Sequence, residues 1–246
     1  MKPPSPMNRR VALTAFGTVG LSTIIAACSG SSSDSSDSAD TSVSSPPTTA
    51  QASSTADGDL SSLFDDAASC TLSPEQTEGP YYIDVDMIRD DIRDDREGAR
   101  LRLATRVLNA SSCDPIANAV VDVWHCDATG VYSGFESGEG ETFLRGSQVT
   151  NADGIAEFTT IYPGWYRGRT VHIHTKVHLD NSTLLTSQLY FDDDVTDGVY
   201  NREPYSSRST PDTTNADDSI FEDQMVMTVT EDGDGYLAVM NINVDV

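Results

Sequence analysis

The sequence predicts an all-β domain, a sandwich of two sheets joined by long loops. Three observations carry that expectation. Short apolar or β-branched runs recur with the alternation of half-buried strands. Turn signals such as Asn151-Ala152-Asp153-Gly154 and Asp232-Gly233-Asp234-Gly235 separate them. About seven such runs fall in one stretch of about 180 residues, enough for a single core.

The first run, Arg100–Leu108, alternates through Leu101 and Leu103, and the second, Ala119–His125, is apolar and β-branched. Gly154–Ile161 carries Ile155, Phe158 and Ile161. Val171–Leu179 alternates again, and Thr183–Phe191 is rich in apolar and β-branched side chains. Gln224–Thr230 and Tyr236–Val244 read as a terminal hairpin about Asp232–Gly235. A short helix is expected over Val85–Asp94, and a long surface loop over residues 192–219, which are polar and strand-poor. No internal repeat is present.

The N-terminus reads as a targeting segment. An apolar stretch from Val11 to Ala27 follows Arg9-Arg10 and is too short and too rich in small residues for a membrane span. Asn8-Arg9-Arg10-Val11-Ala12-Leu13 resembles a twin-arginine export signal. Ile25-Ala26-Ala27-Cys28 resembles a lipobox, with cleavage before Cys28 and lipid on its sulfur. The plainer alternative is an ordinary secretory peptide. The expected divisions are therefore 1–27 as signal peptide, 28–64 as a disordered tether rich in Ser, Thr and Asp, and 65–246 as the folded domain. The expected location is the cell surface or the exterior, with membrane attachment only through Cys28.

The formal net charge is −24. Cleavage before Cys28 would remove Lys2, Arg9 and Arg10 and no acid, leaving Lys176 as the single lysine. That balance excludes nucleic acid and anionic lipid surfaces as partners. Four cysteines are present. Cys126 lies in an apolar run and is expected to be a free, buried thiol. Cys70 and Cys113 flank loops and are expected to pair in an oxidising compartment.

Four side chains could hold a metal: Tyr132, Tyr166, His172 and His174. In Val171-His172-Ile173-His174 the imidazoles are two apart, so a strand projects both from one face. Each tyrosine follows a turn, Gly130-Val131 or Pro163-Gly164-Trp165. Two neutral nitrogens and two potential phenolates suit a hard, highly charged cation better than zinc, and ferric iron leads. Two phenolates and a hydroxide would neutralise its charge in a buried site. Asp122 and Asp127 are read as solvated loop and strand-edge groups, and His125 as structural. His178 is expected beside the site or at the surface, and Trp124 as packing near it. Tyr82, Tyr162 and Tyr190 are candidates for a pocket wall.

Several motifs occur in order: Thr77-Glu78-Gly79-Pro80-Tyr81-Tyr82, Val121–Tyr132, Phe143-Leu144-Arg145-Gly146, Asp153-Gly154, Phe158–Tyr166 and His172-Ile173-His174. Together they resemble the intradiol ring-cleavage dioxygenases, the family of catechol and protocatechuate dioxygenases. The resemblance covers about residues 74–191. It implies an immunoglobulin-like or prealbumin-like sandwich and a non-haem Fe(III) cofactor. The implied reaction is O2-dependent cleavage of a catechol-type diol between its hydroxylated carbons, giving a cis,cis-muconate-type product. Tyr132 would be the tyrosinate that stays bound, and Tyr166 the one that leaves when substrate arrives. His172 and His174 would complete the ligand set. Arg169 would stabilise charge on the substrate ring, Gln188 would hold substrate oxygens, and Tyr81 would line the pocket. The expected partners are the diol and O2, with a homodimer left open. Only five residues separate Tyr166 from His172, fewer than in better-known members, which implies a more open site for bulkier diols. The competing expectation is an exported β-sandwich lipoprotein that binds a sugar or a protein without catalysis.

Overall fold

The computed structural model describes residues 60–65 and 70–246. The expected signal peptide, Cys28 and most of the expected tether lie outside the described residues. Eight strands form two four-stranded sheets. In chain order they are β1 (Arg100–Asn109), β2 (Val120–Trp124), β3 (Arg145–Val149), β4 (Ile155–Ile161), β5 (His172–Leu179), β6 (Ser182–Tyr190), β7 (Thr228–Asp232) and β8 (Gly235–Val244). One sheet has the order β4-β1-β8-β7 and the other β3-β2-β5-β6. All pairings are antiparallel except β1 with β8.

Alternation sorts the second sheet into two faces. Val121, Val123, Ile173, Val177, Leu185 and Leu189 turn inward and join Leu101, Leu103, Val107 and Phe158 of the first sheet in one core. The opposite face carries His172, His174 and Lys176, all buried. Burial of so many polar groups on one sheet face is costly unless they are partnered or serve as ligands.

Four sequence expectations need correction. The helix over Val85–Asp94 does not form, because its backbone bonds to both sheets instead. Arg89 N donates to Ser147 O and Ser147 N to Met87 O, at 3.1 and 2.8 Å. Thr159 N donates to Asp90 O and Ile92 N to Thr159 O, at 2.7 and 3.0 Å. The segment thereby straps the β3 edge to the β4 edge and blunts both. Ile92 is fully buried beneath it while Ile88 is 67% exposed, which is no helical burial pattern.

β3 was not expected. Its sequence, RGSQV, has no strand-like alternation and takes its conformation from pairing with β2. Residues 192–219 are more than a surface loop. They contain a helix, α2 (Asp193–Tyr200), whose N-cap Asp192 accepts from Asp194 N. Val199, Tyr200, Tyr205 and Asp218 in this stretch are buried. Finally, packing begins before residue 65. A one-turn helix at Ser61–Asp65 places Phe64, fully buried, against Ala104, Ile155, Leu237 and Val239 on the outside of the first sheet.

A disulfide joins Cys70 to Cys113, and Cys126 is free and buried. The bridge ties the start of the domain to the turn after β1.

Candidate metal centre

Two tyrosine-bearing loops meet over the polar face of the second sheet, and their glycines explain how they interlock. A Cβ on Gly164 would lie 2.3 Å from Asp127 O, and one on Gly130 would lie 2.4 Å from Trp165 O. Each loop thus needs a bare backbone where the other crosses it. Gly164 N donates to Asp127 O at 3.1 Å, and Arg208 Nη1 donates to both Ala128 O and Trp165 O. The Asp127 carboxylate accepts from Thr129 N and Val131 N and so shapes the turn before Tyr132.

Below them β5 presents both imidazoles. His172 Nδ1 donates to Thr170 O at 2.7 Å, which fixes the tautomer and leaves Nε2 as the acceptor. That Nε2 lies 3.1 Å from His174 Nε2 and accepts from Tyr166 Oη at 3.0 Å. The Tyr132 ring is 5.7 Å from Tyr166 and 6.3 Å from His174, centroid to centroid. The four side chains therefore converge on one small volume. Tyr132 Oη and His174 Nδ1 are buried with no hydrogen-bond partner.

Charge decides what this volume suits. Burial pushes the His172 imidazole down to about 3, with the Arg169 charge adding to the effect, and holds His174 well below its ordinary range. Both are neutral donors at physiological pH. Burial raises the Tyr166 phenol to about 12 and holds Tyr132 well above its ordinary range. A bound cation reverses that preference and displaces the phenolic protons. Among the described residues no three His, Cys, Asp or Glu side chains converge as a metal-binding group. The anionic donors here can only be the phenols, a set that fits a trivalent, oxygen-seeking ion such as ferric iron.

Arg169 stands beside the four. Its Nε donates to Asp218 Oδ2 at 2.8 Å, and Nη2 donates to Gln188 Oε1. Gln188 is fixed in turn, since its Nε2 donates to Thr77 O and its backbone N to Gln76 Oε1. Tyr81 stacks on Tyr132 with centroids 4.3 Å apart and meets Tyr166 edge-on at 6.1 Å. Tyr82 packs on Trp124, and Trp124 stacks on His174 at 4.9 Å with planes 7° apart. Lys176 Nζ lies 3.7 Å from the Tyr82 ring centroid and pairs with Glu78, which ties the 78–82 segment to β5.

Other candidates fall elsewhere. His125 donates through Nδ1 to Cys126 O and accepts from Thr160 Oγ1. His178 pairs with Asp122, which also accepts from Ser147. Tyr162 is buried against Phe191 and Tyr205, away from the four donors, whereas Tyr190 lies 6.3 Å from His172. Sequence reasoning missed Gln76 and Asp218, which orient Gln188 and Arg169. Gln76 sits within three residues of the Thr77–Tyr82 motif. Asp218 has no local signal, being one of several acids in a polar stretch.

Comparison with known proteins identifies the family. A family model described as "Dioxygenase" matches residues 73–199. Catechol 1,2-dioxygenase 1 of Acinetobacter lwoffii is 29% identical over 147 residues, covering 50% of this chain and 47% of that protein. A chlorocatechol 1,2-dioxygenase of Rhodococcus opacus is 33% identical over 123 residues, 42% of this chain and 48% of that one. The chain thus spans about half the length of the curated relatives it matches. An intradiol ring-cleavage dioxygenase from Tetranychus urticae superposes with a TM-score of 0.69 at 32% identity, over 72% of this chain and 95% of that chain. The dioxygenase domain of a carbohydrate-binding fusion from Streptomyces sp. SirexAA-E gives 0.57 at 30% identity, over 71% and 99%.

Proposed function

The chain belongs to the intradiol ring-cleavage dioxygenase family, and from that premise we propose that it opens a catechol-type diol with O2, using Fe(III) held by Tyr132, Tyr166, His172 and His174. The observation that carries the proposal is the convergence of two phenols and two neutral imidazoles on one point, with a guanidinium beside it. Bound there, ferric iron would supply a Lewis acid that accepts the diol oxygens and draws electron density from the ring.

The chain's own groups prepare that event. The imidazoles reach the site without a proton to lose, so they donate lone pairs at any physiological pH. A diol must shed protons to bind, and the Tyr166 oxygen is placed to take one. Its own proton, now donated to His172 Nε2, would be displaced by the metal, and its partly buried loop leaves the resulting phenolate able to accept another. Tyr132 is more deeply buried and stacked beneath Tyr81, so it is the phenolate retained. Arg169, oriented by Asp218 and Gln188, presents positive charge where negative charge builds on the ring. Gln188 and Tyr81 form the wall against which the diol is oriented. The short stretch from Arg167 to Val171 leaves the entrance open and favours diols bulkier than catechol.

The same reading takes the sheets as an immunoglobulin-like or prealbumin-like sandwich. It takes the chain as exported, with residues 1–27 removed, a tether ahead of the domain and lipid on Cys28. The test is O2 uptake by the iron-loaded protein against catechol, protocatechuate, hydroxyquinol and larger catechols, with mass spectrometry of the product. The proposal predicts one O2 consumed per diol and a ring-opened dicarboxylate. A colourless, zinc-filled protein that ignores every diol would instead favour a binding module without catalysis.

A further inference from the structure

One row of side chains crosses the second sheet from edge to edge. Gln188, His174, Trp124 and Arg145 are register partners in turn, on β6, β5, β2 and β3. Three members of the row have a place in the site already described. The fourth, Arg145, belongs to the Phe143-Leu144-Arg145-Gly146 motif and has been given no task.

Arg145 is an unusual cation. It is 1% exposed and forms no ion pair among the described residues. Its Nε and Nη2 donate to Ser133 O, and Nε also to Ser133 Oγ. Its Nη1 is buried with no hydrogen-bond partner among the described residues. A buried, unpaired charge is costly and calls for an anion nearby. The guanidinium carbon lies 5.9 Å from the Tyr132 ring centroid and 5.7 Å from that of Phe135, so the nearest group that could become an anion on metal binding is the Tyr132 phenol. Arg169 is the useful contrast. Its charge acts on both Tyr132 and Tyr166, but it is paired with the Asp218 carboxylate at 2.8 Å. The site therefore has two arginines, of which Arg145 is the one without a carboxylate partner among the described residues.

We propose that Arg145 is a positioning residue for Tyr132, a fixed positive charge that lowers the energy of the electrons on that phenolate and limits how much of them it donates to the metal. The proposal rests on the ferric reading above. A phenolate restrained in this way leaves the metal more electron-poor, and so better able to draw density from a bound diol. Its hydrogen bonds to Ser133, the residue after Tyr132, also keep the charge at a constant distance from the ring.

The test is the phenolate-to-iron charge-transfer band of the full protein loaded with ferric citrate, in wild type, Arg145→Lys and Arg145→Gln. Lysine keeps the charge and loses the fork, whereas glutamine loses the charge and keeps a donor for Ser133. Removing a positive charge beside the electron-donating ring makes the transition easier, so the Gln band moves to longer wavelength. The shift is at most about 20 nm, the limit set by a unit charge about 6 Å away at an effective dielectric of about 20, because the electron moves only from the ring to the neighbouring metal. The Lys variant stays within about 5 nm of wild type by the same estimate. Circular dichroism of each apoprotein checks the fold, and Arg145→Met, which fills the space without a charge, replaces Gln if that variant does not fold. An unshifted Gln or Met band, or Lys and Gln bands that move together, overturns the role of Arg145. A wild-type protein with no such band overturns the iron reading itself, which is a different result.

Discussion

At the scale of single residues, the site depends on proton inventory. His172 and His174 are neutral because burial keeps them so, while Tyr132 and Tyr166 hold their protons until a cation arrives. Iron uptake must then release protons from the phenols and none from the imidazoles. We expect ferric affinity to rise with pH by up to about 100-fold per unit between pH 5 and 8, two protons being released. Equilibrium competition against a chelator of known pH dependence measures it. Affinity that rises only to about pH 6.5 and then levels off would mean that imidazole deprotonation controls binding. In the proposed reaction Arg169 acts at a later stage. Arg169→Ala should retain iron and its colour but lose about 10²–10³-fold in kcat, the usual cost of removing one electrostatic donor. Unchanged turnover would remove that role.

At the scale of elements, the centre is a product of two loops and one strand. The sequence showed the strand plainly, since His172 and His174 share a face by parity alone. It showed the tyrosine loops through Gly130-Val131-Tyr132 and Pro163-Gly164-Trp165-Tyr166, but not why those glycines are there. The reason lies in contacts between the loops, which no local pattern encodes. Gly164→Ala should force a Cβ against Asp127 O, destabilise the domain by about 1–3 kcal/mol and lower iron occupancy through Tyr166. Thermal melts and iron content of the variant check both, and a wild-type melt with full iron would show that the loops tolerate the crossing. The misread elements have the same physical origin. The strap at 87–92 and strand β3 use backbone hydrogen bonds to distant strands, which overrode the weak preferences of their own residues. The helix α2 was legible in principle, because Asp192 followed by Asp193 and Asp194 is an N-cap signature. Its high acidity and eight-residue length masked the pattern.

At the scale of the molecule, a two-sheet sandwich turns one face of the second sheet away from the core and covers it with chain from several regions. Thr77–Tyr82, the two tyrosine loops and Asp218 all converge there, from positions spread across the domain. That convergence is why the ordered motifs could be read as one site, while Gln76, Asp218 and Arg145 could not be assigned roles without the fold. The Cys70–Cys113 bridge closes a loop of 43 residues and anchors the segment that leads into this cover. A link of that span contributes on the order of 2–4 kcal/mol. A formal net charge of −24 repels polyanions such as nucleic acid. The most direct test is the visible spectrum of the ferric-loaded protein beside its Tyr132→Phe and Tyr166→Phe variants. The account predicts a red to burgundy wild type whose phenolate charge-transfer band loses intensity in each variant, because two separate phenolates contribute to it. A wild type that binds ferric iron without that band, or a band that neither substitution alters, would contradict it.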